Sequence, residues 1–301
     1  MEGYRELELF IGPLQEWKGM RDVGAIRLVC NGNRETIRID ASVSKSIVST
    51  TNTATLNIYN LSADTRHALE RGGTSMKLYA GYEGEAKALV FSGSILRSVT
   101  ERQGTDIITT VHCLTGAGPL VKSATSKTFT YGVPVAEAVR SLASTIPGII
   151  LDPTNINVSG QIGYAGWSFV GPTKEALDKL AYQFGFSWSI NDGKFIAVQD
   201  GKSIGSRVLL TSATGLRKVS PRLTSLWQIQ EGVDIQTMFY PGVNPYTVVR
   251  VRSEVSPEQN NGDYVVHTIE YNLAPKSNAW DMDITSFTFY GGGGSGNWIN
   301  G

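Results

Sequence analysis

Apolar and polar residues alternate along most of the first 120 residues, the pattern typical of half-buried strands. Residues 54–59 place three side chains on each side of an extended chain: Ala54, Leu56 and Ile58 on one side, Thr55, Asn57 and Tyr59 on the other. The alternation stops near residue 60 and resumes with Met76, Leu78 and Ala80. The pattern therefore predicts two strands with a break between them.

The break predicts a short helix. Ser62 is a favourable N-cap because its hydroxyl can accept a free backbone N–H, and Asp64 places an acid in the first turn, where the helix dipole favours it. Gly72 and Gly73 are expected to end the helix. No side chain on it suggests catalysis, so we expect the helix to cover an opening or an edge of the sheet.

Further strands complete this first region. The segment "ALVFSGSILRSVTERQGTDIITTVHCLTG" predicts two long strands joined near Gly104, with His112 and Cys113 on opposite faces. The segment "GAIRLVCNGNRETIRIDAS" predicts a hairpin around residues 31–33. Together these strands predict a twisted antiparallel sheet, closed as a barrel or arranged as a sandwich.

Between about residues 121 and 205, the spacing of apolar residues changes from a period of two residues, typical of strands, to one of 3.6 residues, typical of helices. One helix is predicted after Pro134, with an apolar stripe of Val135, Ala138, Val139, Leu142, Ala143 and Ile146. A second is predicted from a Thr173 cap to Gly185, with a stripe of Ala176, Leu177, Leu180, Ala181 and Phe184. A hairpin on Asn191, Asp192 and Gly193 follows. The order strand, helix, strand, helix, hairpin predicts a small α/β insert.

Strand patterns return after residue 206, in "SLWQIQEGVDIQTMF", "YTVVRVRSEV", "DYVVHTIEYNL" and "WDMDITSFTFY". The last stretch, "GGGGSGNWING", has no periodicity and is expected to stay disordered unless a partner orders it. The predicted domains are residues 1–120, 121–205 and 206–290, with a flexible Gly-rich tail at 291–301.

Composition narrows the function classes. The 301 residues contain 27 Lys and Arg and 27 Asp and Glu, a net charge of zero, whereas proteins that grip nucleic acid usually carry a basic excess. The segment "MEGYRELELFIG" is too charged for a secretory signal, and no apolar run approaches the ~18 residues of a membrane span. We therefore expect a protein made in a reducing cytosol, with Cys30 and Cys113 as buried free thiols.

No catalytic, cofactor-binding or metal-binding residue is assigned, and no cofactor is expected. His67, His112 and His267 are the three histidines; they are far apart in sequence, and no Cys–His or zinc site can be assembled from them. Asp281 and Asp283 share a strand face, but they are expected to be solvated outer-face charges rather than glycosidase carboxylates. The runs "GGGGSG" and "TGAGPL" lack the rest of any phosphate-binding motif.

Tryptophans provide the other candidate site. A sugar-binding face could be drawn from Trp167, Trp188, Trp227, Trp280 and Trp298. Trp188 and Trp280 lie in alternating strands, where a core or interface position is the more common one.

The order of these pieces resembles a known family. "TLNIYNLSADTRHAL", then "KLYAGYEG", then "VFSGSILRSVTERQGTDIITTVHCLTG" is similar to the first domain of the baseplate hub (tail hub) proteins of contractile-tailed bacteriophages. "EALDKLAYQFGFSWSINDGKFIAV" resembles the inserted α/β domain of that family, and "LTSATGLRKVSPRL" with the strands after it resembles its second barrel. The resemblance covers most of residues 24–287; the Gly-rich C-terminus departs from it.

The resemblance implies a mainly β fold with an α/β insert, in which two tail-tube-like antiparallel β-barrel domains flank a small α/β domain. It implies a structural homotrimer, a ring that adapts the sixfold tail tube to the threefold spike and forms part of the DNA ejection channel. Its expected partners are the tail tube or tube-initiator protein above, the central spike protein below and other baseplate proteins. DNA would pass without specific binding, with no membrane insertion.

Two alternatives stay open at this stage. One is a tail-associated cell-wall hydrolase or sugar-binding module, which needs a catalytic Glu or a Cys–His pair that the sequence does not offer. The other is a related protein of an injection device or a phage-derived bacteriocin. In the hub interpretation the protein is assembled in the host bacterial cytoplasm and resides in the virion, at the tail baseplate.

Overall fold

The computed structural model describes residues 4–13, 26–48, 52–70, 74–115, 120, 122–205, 207–223, 230–289 and 298–299. The strands of the first region are β1 (Arg5–Pro13), β2 (Ile26–Asn31), β3 (Ile39–Ser46), β4 (Thr53–Tyr59), β5 (Thr74–Tyr82), β6 (Ala88–Gln103) and β7 (Asp106–Leu114). Those of the middle region are β8 (Ala124–Phe129), β9 (Ile156–Asn157), β10 (Trp167–Pro172), β11 (Phe186–Asn191) and β12 (Lys194–Gln199). The third region contributes β13 (Arg207–Thr211), β14 (Leu216–Leu223), β15 (Gln230–Met238), β16 (Val248–Arg252), β17 (Gly262–Leu273), β18 (Trp280–Thr288) and β19 (Trp298–Ile299). The protein is therefore mainly β.

The described helices are α1 (Ala63–Glu70), α2 (Val135–Ala143) and α3 (Thr173–Phe184), with 3₁₀ turns at Pro153–Asn155, Ser212–Thr214 and Glu258–Asn260. The predicted helix at residue 63 is confirmed, since the Thr65 N–H donates to Ser62 Oγ at 3.3 Å and Asp64 lies in the first turn. Gly72 and Gly73, predicted to end it, lie outside the described residues. None of the helices in the described ranges combines the length and apolar character needed to cross a membrane.

The first and third regions share one large, mostly antiparallel sheet. Its order is β14-β15-β18-β17-β3-β4-β7-β6-β5-β1-β2, with β16 beside β17, and β13 parallel to both β16 and β19. The two regions meet where β17 pairs with β3, from Thr268 opposite Ser46 to Leu273 opposite Ala41. Strands separated by more than 200 residues of sequence are thus hydrogen-bonded neighbours.

Each half of the sheet curls so that its ends approach without pairing. In the first half, the Ile39 N–H of β3 donates to Cys30 Sγ of β2 at 3.4 Å. In the second half, Ser256 Oγ, in the loop after β16, donates to the Val219 carbonyl of β14 at 3.4 Å. No strand pairing closes either half among the described residues, so the predicted barrel closure is not found there.

The predicted hairpin around residues 31–33 is wrong. β2 pairs with β1, with Leu7 opposite Cys30, whereas β3 pairs with β4 and β17. The Asn31 side chain explains the change of direction, because its Oδ1 accepts the Asn33 N–H at 2.9 Å and turns the chain away from β2. The alternating apolar residues of β1 supply the partner that the local pattern around Asn31 does not reveal.

The middle region runs β8, α2, β9, β10, α3 and the β11–β12 hairpin, so two strands lie between the helices where the sequence predicted one. β8 and β10 form a two-stranded antiparallel ribbon, and β11, β12 and β9 form a second small sheet. Gly185 ends α3 in the left-handed region at φ 63°, as expected. Thr173 is not the cap: Pro172 holds that position, and buried Thr173 is the first helical residue, 2.7 Å from Thr145 Oγ1. Pro134 is likewise the N-cap of α2.

Two separate groups of buried side chains stabilise the molecule. One fills the inside of the large sheet and draws on both the first and the third region. The other lies between α2, α3 and the small sheets of the middle region. Burial of apolar surface contributes about 25 cal/mol per Å² to the stability of each group. Polar contacts cross the boundary between the two groups, from Asn191 and Asp192 of the middle region to Asn52, Lys45 and Ser92.

Candidate functional site

The face of the large sheet that points away from its apolar interior is polar across the β17–β3 joint. One lateral row runs across six strands in register: Lys218, Gln236, Asp283, Glu270, Ser44 and Thr53. A second row beside it contains Asp281, Asn272, Ser42, Thr55 and His112. The face is therefore one surface built from both regions.

Alternation of apolar and polar side chains along the strands produces this surface, as β3 and β18 show. On β3, Ala41 and Val43 are buried while Ser42 and Ser44 are exposed. On β18, Met282 and Ile284 are buried between half-buried polar residues. Because side chains of a strand point alternately to its two faces, an apolar inner face and a polar outer face follow from the sequence.

Charges on this face are balanced. The part formed by β14 to β18 carries acids and bases together, and Arg217 lies 3.1 Å from Asp281. The part formed by β3, β4 and β7 carries hydroxyls and amides, as where Thr110 Oγ1 donates to Asn57 Oδ1 at 2.9 Å. Tight phosphate binding requires an excess of Lys and Arg. A balanced face of this kind gives a polyanion little to hold it.

A shallow recess of about 390 Å³ lies on the same face, lined among others by Lys218, Arg222, Asp234, Glu270 and Asp283. Arg222 lies 3.3 Å from Asp234, and both side chains are about half exposed. Such exposed pairs contribute at most about 1 kcal/mol to stability. The recess therefore belongs to the solvated face rather than to a buried reaction site.

On the opposite side, the β11–β12 hairpin docks into the sheet through its turn. Asp192 and Gly193 both have positive φ, 53° and 78°, which confirms the predicted tight turn. Asp192 Oδ1 accepts the Ser92 backbone N–H of β6 at 3.0 Å, and its Oδ2 lies 2.6 Å from Lys45 Nζ. Asn191 beside it accepts a hydrogen bond from Asn52.

Lys45 is the sheet residue that receives the turn. It is completely buried, on the same face of β3 as Ala41 and Val43. Its Nζ also lies 3.5 Å from Asn244 Oδ1 of the third region. Burial raises the pKa of the neighbouring Tyr271 hydroxyl, and the Asp192 charge raises it further. All three regions therefore meet at this ion pair.

A cleft of about 310 Å³ lies beside this junction, between β12 and the ends of β17 and β18. Its lining includes Ser187, Asp200, Tyr246, His267 and Phe287. Burial lowers the pKa of His267, and the Arg222 charge lowers it further. His267 packs edge-on against Phe287, with ring centroids 5.0 Å apart, so its packing is that of a structural side chain.

The other candidate residues are not brought together. His67 lies on α1, His112 on β7 and His267 on β17. Among the described residues, no group of three or more His, Cys, Asp or Glu is placed to hold a metal ion. Cys30 and Cys113 are free and buried, as predicted, and burial raises the pKa of Cys113 to about 12.

The tryptophans do not form one face in the described part of the chain. Trp280 is buried in the large sheet, whereas Trp188 is buried in the middle region, where its Nε1 donates to Asp178 at 2.9 Å. Trp167 stacks between Phe129 and Phe169 along the β8–β10 ribbon. Trp227 and the side chain of Trp298 lie outside the part of the chain that the structure describes. Asp281 and Asp283 lie on the solvated face, as expected.

Two features of this site were not predicted from the sequence: the burial of Lys45 and the pairing of β3 with β17. Lys45 follows Ile39, Ala41 and Val43 at a spacing of two, so its position on the buried side could have been found. The ladder between β3 and β17 left no local signal, because pairing between distant strands depends on tertiary structure.

Comparison with known proteins gives the family context. A profile of the family described as "Baseplate hub gp41" matches residues 26–285. No curated protein matches the sequence significantly.

Solved structures share the fold at low identity. A prophage MuSo2 43 kDa tail protein from Shewanella oneidensis has a TM-score of 0.58 at 11% identity, covering 95% of this chain and 97% of that one. A tail protein from Neisseria meningitidis MC58 has a TM-score of 0.56 at 12% identity, covering 84% and 96%. The E. coli c3393 protein, a component of the type VI secretion system, has a TM-score of 0.55 at 8% identity, covering 86% and 75%.

Proposed function

Since the chain belongs to the baseplate hub gp41 family, we propose that three copies of it form a ring that joins a sixfold tail tube to a threefold spike. A structural role in a phage tail baseplate follows from the family itself. The ring, its adapter role and its part in the DNA ejection channel are the proposal. The neighbouring folds of phage tail proteins support it.

One observation carries the proposal: the first and third regions form two curled halves of a single sheet, joined by the β3–β17 ladder. We propose that each half is a tube-like barrel domain, so that three chains present six such domains. A sixfold tube could then stack on a trimer without a symmetry mismatch. Closing the ring would also cover strand edges that a lone chain exposes.

The polar face of the sheet would line the channel in this arrangement. It crosses the joint unbroken, and its acids and bases are balanced. DNA passing along such a wall would meet few uncompensated positive charges, so it would slide rather than bind. We propose that this face, including Ser42 and Ser44, is the channel wall.

We propose that residues 1–120 form the first barrel domain, 121–205 the α/β insert, 206–290 the second barrel domain and 291–301 a flexible tail. The separate apolar interior of the middle region supports the insert as a unit. The partners of the whole protein would be the tail tube or a tube initiator, the central spike and other baseplate proteins. The protein would assemble in the host cytoplasm and reside in the virion.

We propose no catalytic or cofactor role. The hydrolase and sugar-binding alternatives each require a site, and the candidate side chains lie on separate elements. No observation favours either alternative over a structural role.

Added positive charge tests the assignment of the channel wall. Particles that carry Ser42→Lys and Ser44→Lys should release DNA more slowly, and added salt should relieve the effect because it screens phosphate contacts. The matched control places the same charges at exposed Ser126 and Ser168, on the outer face of the β8–β10 ribbon. Equal release from both kinds of particle would contradict the assignment.

A further inference from the structure

Two tyrosines stack on the surface of the middle region. The rings of Tyr131 and Tyr164 are nearly parallel, with an interplanar angle of 9° and centroids 4.1 Å apart. Tyr131 is 56% exposed and Tyr164 is 88% exposed. Large aromatic side chains at such exposure are usually separate from one another, so a face-to-face pair in solvent is unusual. The proposed structural role gives no reason for this stack.

The backbone holds the two rings together. The Gly132 N–H, next to Tyr131, donates to the Ile162 carbonyl at 3.0 Å, and the Ile162 N–H donates to the Val133 carbonyl at 2.9 Å. On the other side of the pair, the Gly166 N–H closes a turn on Gly163 at 2.9 Å. Each tyrosine therefore lies on a turn, and two backbone hydrogen bonds fix one turn against the other.

The phenol hydroxyls are also close. A hydrogen bond to Tyr164 raises the pKa of the Tyr131 hydroxyl above its ordinary value of 10. The pair is thus two exposed phenols, held in ring contact and open to a reagent from solvent.

We propose that Tyr131 and Tyr164 are an oxidative modification site, at which a one-electron oxidant such as an activated peroxidase couples them into an intrachain dityrosine. The stack places the carbons beside the two hydroxyls within reach of each other after a small rotation of the exposed rings. The product joins the turn before α2 to the turn before β10.

The reaction balances with two equivalents of the oxidant. Each phenol gives one electron to the oxidant and one proton to water, which leaves a phenoxyl radical with spin on the ring carbons beside the oxygen. Two such carbons, one from each ring, form the new C–C bond. Each then loses its hydrogen as a proton while its oxygen is reprotonated, so the protein loses two hydrogen atoms in total.

The cross-link would restrain the middle region in the folded state. A covalent bond between residues 131 and 164 closes a loop of chain and lowers the entropy of the unfolded ensemble, as a disulfide does. We therefore expect cross-linked protein to melt at a higher temperature than the same protein before oxidation.

The test is peroxidase and hydrogen peroxide acting on the dilute full-length chain. We expect dityrosine fluorescence, a mass lowered by two hydrogen atoms without dimer formation, and one cross-linked peptide pair containing residues 131 and 164. Tyr131→Phe and Tyr164→Phe keep the ring stack but remove one phenol, and each should abolish the product. Tyr182→Phe is the matched control, because Tyr182 is 95% exposed and lies on α3, outside the stack.

Three results would overturn the proposal. The first is an absence of intrachain dityrosine in the wild-type chain while free tyrosine in the same tube is coupled. The second is a product that persists in either stack variant, and the third is a product lost equally in Tyr182→Phe.

Discussion

Lys45 Nζ lies 2.6 Å from Asp192 Oδ2, and this ion pair joins the turn between β11 and β12 to β3 of the large sheet. The Lys45 side chain is fully buried and that of Asp192 is 13% exposed. A buried charge is costly unless it is paired, so the turn and the sheet depend on each other. The ion pair also brings Ser92 of the first region and Asn244 of the third region to one point.

Breaking this pair should destabilise the protein strongly. Lys45→Met leaves Asp192 without its cation, and we expect the free energy of unfolding to fall by about 3–5 kcal/mol. The double variant Lys45→Met with Asp192→Asn should lose less than the sum of the single losses, measured by urea unfolding.

The control is the exposed pair Lys174–Asp178, 2.7 Å apart on one face of α3. Lys174→Met should change stability by no more than about 0.5 kcal/mol. Additive losses at Lys45 and Asp192, or losses as small as in the control, would show that the buried pair does not couple the regions.

Gly193 should tolerate no branched side chain. Its φ of 78° lies where L-residues are strained, so Gly193→Val should lower the free energy of unfolding by roughly 1–3 kcal/mol. Gly163→Val is the matched control, since a Cβ there meets nothing within 4 Å and its φ is not positive. The measurement is thermal unfolding of both variants, and equal melting temperatures would contradict the strain argument.

His267 should make stability depend on pH. Its pKa is lowered in the folded state from the ordinary value of 6.5, so the unfolded chain binds the proton more tightly. Stability from this residue is complete above about pH 6.5 and is lost as the pH falls towards the lowered pKa. Acidic side chains contribute their own pH dependence, so His267→Gln is compared with the wild-type chain. The variant should lose less stability between pH 7 and pH 5, and identical profiles would refute the claim.

Replacing His67, His112 and His267 together should abolish no enzymatic activity, because we expect the wild-type chain to have none. The three residues lie on separate elements, and the protein is expected to be structural. Peptidoglycan hydrolysis and esterase activity are measured for wild-type and triple-variant chains whose circular dichroism matches. An activity present in the first and absent from the second would disprove the non-catalytic assignment.

Most elements of the fold could be predicted from the sequence, whereas most pairings could not. Alternation located β4, β6 and β7, and the side-chain chemistry of Ser62 and Gly185 located helix ends, because these signals are local. The partner of β2 was predicted wrongly. The turn signal at residues 31–33 indicated a hairpin with the next strand, whereas β2 pairs with β1.

The candidate site shows the same division. The polar faces of β3 and β18 follow from alternation, but the ladder that joins them through β17 depends on contacts across more than 200 residues. The Asp192 turn was predicted from its sequence, and its binding to Lys45 was not, because a turn signal contains no information about what the turn contacts.

A reconstruction of the assembled tail end would show directly whether this chain forms a three-copy ring on the tail axis. We expect three copies of this chain around the tail axis, between tube and spike, each contributing two sheet halves whose polar face lines the channel. Six copies at that level, or a position away from the axis, would contradict it.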